Sequence, residues 1–328
     1  MHFKITPVRW QLSEPFKIAR DTHNSVGTVH VEVTDSQGRR GRGEAAGVDY
    51  AGETVASMTA QLEGLRKILE LVDVLSPSEI QTLLPAGGAR NALDCALWDL
   101  RAKQSGVPTW RELGLTAPQR LACAYTIGID SVAVVAAKAR DRRHFPLLKL
   151  KVDATANIEL IRAVRREAPG VRLIVDANAS WSEDQLTALM PELALLKVDL
   201  LEQPLAPRKD ACLAGRTFPI PIGADESCVD RESIAELVGR YQYANLKLDK
   251  TGGLTEALEC ARLATDNGLK LMVGNMCGSS LAMAPGALVA TLCEFIDLDG
   301  PLLQGEDVEH ALNYADGWMS FPTAALWG

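Results

Sequence analysis

No apolar stretch of the 328-residue chain reaches the roughly 18 uncharged residues that a membrane-spanning helix requires. The opening MHFKITPVRW also lacks the basic start, apolar run and small-residue cleavage site of a secretory signal. The expectation is a cytoplasmic protein with no membrane partner. Positive charge is scarce as well: 34 Lys and Arg stand against 42 Asp and Glu, a net of −8. That balance argues against nucleic acid, which needs a basic face. The seven cysteines, Cys95, Cys123, Cys212, Cys228, Cys260, Cys277 and Cys293, form no C-x-x-C pair and have no nearby histidine to complete a zinc site. They read as reduced thiols. The histidines His2, His23, His30, His144 and His310 all fall outside the strand ends inferred below, so no histidine base is expected.

The hydrophobic share of 47% excludes disorder and suffices for one large core, or for a barrel with a smaller domain attached. The partner is then a small molecule, and homo-oligomerisation is left open. Residues from about 1 to 45 alternate with the strand period, as in VGTVHVEV, and Asp35-Ser36-Gln37-Gly38 reads as a turn into a short strand at Gly41 to Ala45. From about Gly52 to Gln104 the period becomes helical, with Leu93, Ala96, Leu97 and Leu100 on one face. An α+β capping domain over residues 1–115 is expected. From Leu121 on, the runs LACAYTI, LLKLKV, RLIVDAN, VDLLEQP, PIGADES, YANLKLD, KLMVGNM and CEFIDLD alternate with helical segments. These predict an α/β fold of the modified TIM-barrel type, (β/α)7β, with seven helices over residues 116–300. Residues 301–328 are expected to return to the capping domain.

Active-site groups of such barrels project from the carboxyl ends of the strands. Polar residues collect there strand after strand: Lys149-Leu-Lys151, Asp176-Ala-Asn178, Glu202-Gln203, Asp225-Glu226, Lys247-Leu-Asp249 and Asp297-Leu-Asp299. An ionised side chain in a barrel mouth is costly to desolvate alone, so the repeated pattern needs partners or a ligand. Asp176, Glu202 and Asp225 lie on three successive strands, and oxygen-only donors select a hard cation, with Mg²⁺ keeping positions open for substrate. Lys149 and Lys151, two apart, share a face. Lys247 approaches from across the barrel. A lysine serves as a base near neutral pH only when a neighbouring cation and desolvation lower its pKa, and Lys149 offers Lys151 such a neighbour. Two bases on opposite faces of one carbon allow a proton to leave on one side and return on the other. Three residues separate Lys247 from Lys250, so a continued strand would turn the two to opposite faces.

The set LKLKV, VDAN, LEQP, ADES and NLKLDKTGG resembles the lysine-lysine subgroup of the enolase superfamily, which includes muconate lactonizing enzyme, o-succinylbenzoate synthase and the dipeptide epimerases. The resemblance covers almost the whole chain. It implies Asp176, Glu202 and Asp225 as ligands of one Mg²⁺ and Lys151 and Lys247 as the acid/base pair, with Lys247 rather than Lys250 matching the family base. It implies that Lys149 helps neutralise a bound carboxylate. Asp297-Leu-Asp299 is similar to the D-x-D with which dipeptide epimerases hold a substrate ammonium. ARNALDCALWDL, ADESC, KLDKTGGLTEAL and DLDGP look like the bacterial L-Ala-D/L-Glu epimerases in particular. By the same comparison Arg20 would meet a glutamyl side-chain carboxylate and Thr126 would touch substrate. Cys277-Gly278-Ser279-Ser280 departs from the pattern of those relatives. The implied activity is Mg-dependent 1,1-proton transfer on a dipeptide, L-Ala-D-Glu to L-Ala-L-Glu, in the recycling of cell-wall peptides. Cycloisomerisation, o-succinylbenzoate synthesis and N-acylamino acid racemisation are the alternatives within the subgroup.

Overall fold

The computed structural model describes residues 1–71, 75–155 and 157–328. The alternating N-terminal segment forms three antiparallel strands in chain order, β1 (His2–Lys17), β2 (Thr22–Thr34) and β3 (Arg40–Ala46). The turn at Asp35 closes because its carboxylate accepts the N–H of Gln37 at 2.9 Å and of Arg39 at 3.0 Å. One face of the sheet, with Phe3, Val29, Val31, Val33 and Ala45, is buried against the helix Gly88–Ser105, which presents Leu93, Ala96, Leu97 and Leu100. The contact is close enough to require glycine in β3. A Cβ on Gly41 or Gly43 would fall 2.1 Å from the carbonyl oxygen of Ala96 or Ala92.

β4 (Arg120–Ala122) leads into the eight parallel strands of the curled sheet: β5 (Tyr125–Ile127), β6 (Leu147–Lys151), β7 (Arg172–Asp176), β8 (Leu200–Glu202), β9 (Ile222–Ala224), β10 (Tyr243–Lys247), β11 (Lys270–Gly274) and β12 (Phe295–Ile296). All eight expected runs are strands, in sequential order. The N–H of Ala124 reaches the carbonyl of Ile296 at 2.8 Å, linking the two ends of the sheet. Strand interiors change character along their length. At the base Ala124, Leu147, Ile174, Leu200, Tyr243, Met272 and Phe295 form an apolar plug. Two and four residues further along the same faces stand the charged groups. The outer faces pack on the helices in one continuous core.

The crossover between β8 and β9 departs from expectation. Among the described residues it holds only the 3₁₀ turn Ala211–Leu213, because Pro204, Pro207, Gly215, Pro219 and Pro221 interrupt any longer helix. After β12, strands β13 (Tyr314–Ala315) and β14 (Trp318–Ser320) pair antiparallel, β14 with β4 beneath the barrel. The chain then reaches the capping layer, where the Trp327 indole donates to the Cys95 carbonyl at 3.0 Å. No described helix is long and apolar enough to cross a membrane. All seven cysteines are free thiols.

Candidate active site

Register brings the carboxylates together. Lys151 is paired with Asp176, Asp176 with Glu202, and Glu202 with Gly223, two residues before Asp225 on the same face. Asp176, Glu202 and Asp225 are fully buried, each offering an oxygen within 4.8 Å of the others. Their charges are strongly coupled. Burial pushes the Glu202 carboxyl up to about 7, and the neighbouring Asp176 and Asp225 charges push it the same way. Burial also opposes ionisation of Asp176 and Asp225, but the ammonium groups beside them outweigh it and hold both below the usual carboxylate range. A set of three oxygen donors with an excess of negative charge fits a hard divalent cation such as Mg²⁺.

The lysines sit on either side of this triad. Lys151 donates to Asp176 at 2.6 Å from β6, and Lys247 donates to Asp225 at 2.7 Å from the end of β10. Burial lowers the affinity of Lys247 for its proton, but the Asp225 charge more than reverses this. Lys149 lies deeper, 1% exposed, within 2.7 Å of Asp297, 2.8 Å of Glu202 and 3.1 Å of Asp176. Lys250 is not turned away from the site, as a continued strand would have required. The strand ends at Lys247 and Leu248–Thr251 forms a helical turn, so Lys250 comes back to donate to the other Asp225 oxygen at 2.6 Å. Lys247 and Lys250 thus grip one carboxylate from two sides.

Across the mouth, Asp297 and Asp299 follow β12. Thr126 on β5 donates its backbone N–H to Asp299 at 2.6 Å and its hydroxyl to Asp297 at 3.2 Å. Arg20, in the connection between β1 and β2, spans the opening to reach Glu226 at 2.6 Å and the Asn178 carbonyl at 3.2 Å, stacked 4.8 Å from the centre of the Tyr50 ring. Burial and the adjacent Asp225 charge raise the Glu226 carboxyl. Arg20, Thr126, Lys149, Lys151, Lys247, Asp297 and Asp299 all line one cavity of about 250 Å³ between barrel and capping layer. Its outer wall is apolar, with Leu12 and Phe16 of β1, Val26 of β2 and Ile18 of the connection between them.

Several groups at this site carry no signal in the strand-end pattern. His23 reaches the cavity rim from β2, although no histidine stands at a barrel strand end. Asn275 donates to the Asp297 carbonyl at 2.6 Å. The helix Gly88–Ser105 turns a second, polar face to the barrel. Its Arg90 donates to the Thr251 carbonyl at 2.7 Å, Asn91 to the Asp249 carboxylate at 3.0 Å, and Asp94 accepts the Thr255 hydroxyl at 2.6 Å. This face clamps the turn that follows Lys247. The hint in the sequence is that Arg90, Asn91 and Asp94 of ARNALDCALWDL share a helical face apart from that of Leu93, Ala96, Leu97 and Leu100.

Comparison with known proteins agrees with this geometry. The family pattern described as "Mandelate racemase / muconate lactonizing enzyme, N-terminal domain" matches residues 1–114, and "Enolase C-terminal domain-like" matches residues 131–325. An N-acetyl-D-glutamate racemase from Pseudoalteromonas sp. is 43% identical, with 87% of this chain and 91% of that protein covered. The L-Ala-D/L-Glu epimerase of Escherichia coli K12 is 40% identical, with coverages of 96% and 98%. A crystal structure of an enolase family member from Agrobacterium tumefaciens, with homology to dipeptide epimerases and bound sodium and L-Ala-L-Glu, superposes with a TM-score of 0.95 at 40% identity, covering 99% of each chain. The chain therefore belongs to the enolase superfamily, in its muconate lactonizing enzyme-related branch, as a Mg²⁺-dependent isomerase of the dipeptide-epimerase type that acts on amino-acid or dipeptide substrates.

Proposed function

We propose that the protein interconverts L-Ala-D-Glu and L-Ala-L-Glu by moving a proton at the glutamyl α-carbon between Lys151 and Lys247. The observation that carries this reading is the pair of buried lysines, each at a strand end and each bonded to a different carboxylate of the triad. When bound by Asp176, Glu202 and Asp225, Mg²⁺ supplies positive charge that acidifies the C–H beside a substrate carboxylate and stabilises the anion formed there. One lysine takes the α-proton and the other delivers one to the opposite face, which inverts the centre. Lys149 provides fixed positive charge beneath the substrate carboxylate.

Asp297 and Asp299 receive the dipeptide ammonium, and Thr126 holds both carboxylates in place. Arg20 exchanges Glu226 for the glutamyl side-chain carboxylate. Charge supports the assignment. Lys149, Lys151, Lys247, Lys250 and Arg20 face Asp176, Glu202, Asp225, Glu226, Asp297 and Asp299, one formal negative charge in excess. Within that set, and with Glu202 and Asp299 ionised, a divalent cation and a dipeptide with two carboxylates and one ammonium bring the total to zero. The substrate named for the Escherichia coli relative and the dipeptide held by the Agrobacterium structure support the same choice. We place the activity in the cytoplasm, on peptides released from the cell wall. Nucleic acid has no role in it, and a homo-oligomer is compatible with it. We assign residues 1–115 as the cap, 116–300 as the catalytic barrel and 301–328 as the segment that returns to the cap.

A second reading is racemisation of an N-acylated glutamate, favoured by the 43% identity to the N-acetyl-D-glutamate racemase. Cycloisomerisation and o-succinylbenzoate dehydration use substrates without an ammonium and leave Asp299 without a cationic partner, whereas Asp297 keeps Lys149. The test is incubation with a panel of L,L- and L,D-dipeptides and N-acetylglutamate in D₂O with Mg²⁺, followed by mass spectrometry. Deuterium should enter the glutamyl α-position of L-Ala-Glu in either configuration. Failure of every dipeptide to take up α-deuterium would sink the epimerase reading. Lys151→Ala and Lys247→Ala should each abolish epimerisation, and wild-type exchange from both stereoisomers in either variant would sink the two-base assignment.

A further inference from the structure

The two aspartates after β12 are not equivalent. Asp297 is already matched: Lys149 donates to one oxygen at 2.7 Å and the Thr126 hydroxyl to the other at 3.2 Å. Asp299 accepts the Thr126 N–H at 2.6 Å, has the Thr126 hydroxyl beside it, and meets the Asn275 amide at 3.5 Å on its second oxygen. Among the described residues no cationic side chain lies within ion-pair distance of it, although it is 2% exposed and lines the cavity. The charged and titratable groups that face it are Asp297, Lys149 of β6, Cys123 between β4 and β5, Tyr125 of β5, Cys277 after β11, and Tyr314 of β13. Lys149 is the one cation of that set, and it is held by three other carboxylates.

A buried carboxylate in this position has two ways to escape an uncompensated charge: it gains a cation from the ligand, or it takes up a proton. We propose that Asp299 is a proton-operated selector of the acyl group, receiving the ammonium of an aminoacyl-glutamate when ionised and admitting ammonium-free N-acylglutamates when protonated, so that one site inverts the glutamyl α-carbon of both. The ammonium half of this proposal rests on the dipeptide reading above. Burial, then the Asp297 charge, raises the Asp299 carboxyl to about 7, so both forms are populated near neutrality. The proton comes from solvent, and the chemistry at the α-carbon is the same for both substrates.

The readout is the ratio of kcat/KM for N-acetyl-D-glutamate to that for L-Ala-D-Glu in the Mg²⁺-loaded enzyme. Ionisations of the lysines and of the metal ligands act on both substrates and divide out. The ratio then follows the protonated over the ionised fraction of Asp299 and falls about tenfold per pH unit. Between about pH 6 and 7.5, below the titration of the dipeptide amine near 7.7–8.0, the expected fall is about thirtyfold. In Asp299→Asn the ratio should lose its pH slope and shift towards N-acetyl-D-glutamate. A flat ratio in the wild type overturns the proposal, as does a wild-type slope retained in Asp299→Asn or the absence of N-acetyl-D-glutamate turnover at every pH. Should Asp299→Asn fail to fold, the wild-type slope alone decides. Should L-Ala-D-Glu fail as a substrate, the dipeptide reading falls separately. The selector is then judged on whether N-acetyl-D-glutamate kcat/KM declines with pH in the wild type and not in the variant.

Discussion

Arg20 shows how far a single residue can be read before folding. Its sequence neighbourhood marks a strand connection, and the family resemblance alone suggested a substrate contact. The structure adds that the guanidinium is one-third exposed, ion-paired to Glu226 and stacked on Tyr50. Burial lowers its pKa, but the Glu226, Asp225 and Asp176 charges raise it further, so it stays charged. A cation poised on a replaceable internal anion suits an anionic ligand group. Hydrogen bonds to charged groups contribute about 1.5–3 kcal/mol. Arg20→Ala should therefore lower kcat/KM on glutamyl dipeptides roughly 10- to 100-fold and leave dipeptides with an apolar second residue nearly unchanged. Equal losses on both would mean that Arg20 does not read the side chain. Lys250 carries the converse lesson. Strand periodicity turned it away from the site, and the helical turn Leu248–Thr251 returned it to Asp225.

At the scale of elements, Gln203 ties neighbouring strand ends together. It is fully buried, with φ of 33°, a left-handed conformation that costs a non-glycine residue energy unless its surroundings enforce it. Its side-chain carbonyl oxygen, Oε1, accepts the N–H of Asp225 at 2.8 Å and of Ser227 at 3.1 Å. Its amide donates to the Leu205 carbonyl, the Ser227 hydroxyl and the Tyr241 hydroxyl at 2.8, 2.9 and 3.1 Å. Groups that orient metal ligands typically change affinity 10- to 100-fold when removed. Gln203→Leu should weaken Mg²⁺ binding, measured by calorimetry, by about that factor. It should also cost about 2–4 kcal/mol of stability, because the Asp225 and Ser227 N–H groups lose their acceptor. Unchanged Mg²⁺ affinity would show that Asp225 keeps its place without this brace. LEQP was visible as a motif, but its glutamine reaches across to the next strand, which periodicity cannot display. The β8 to β9 crossover lacks the expected helix for a local reason, since prolines interrupt the segment that would form it.

For the whole molecule, the buried carboxyls divide into two sets. Glu202, Asp299, Asp249 and Asp94 are raised to about 7, each chiefly by burial. Such groups bind protons on folding, so their contribution is most favourable below their ordinary carboxylate values and declines as pH rises towards 7. Asp176 and Asp225 are held low by lysines, and their stabilisation is lost only as pH falls below about 4. The metal-free protein should therefore have its highest Tm near about pH 5 and a lower one at pH 8. Mg²⁺ should raise Tm more at pH 8 than at pH 5, because binding requires ionised Glu202. Calorimetric scans in EDTA and in Mg²⁺ check both; a metal-free Tm that climbs steadily from pH 5 to 8 would contradict them.

The order of the eight strands, the apolar face of Gly88–Ser105, and the recurrence of charge at the strand ends all follow from the sequence by itself. Hydrophobic period, turn chemistry and spacing act over a few residues and survive in a linear reading. Other features were decided only in three dimensions: the grip of Lys247 and Lys250 on one carboxylate, the matching of Asp297 by Lys149 that leaves Asp299 open, and the pairing of Arg20 with Glu226. Each joins residues from different strands or layers, and electrostatic partnership depends on distances that exist only once the sheet has curled and the cap has closed over it.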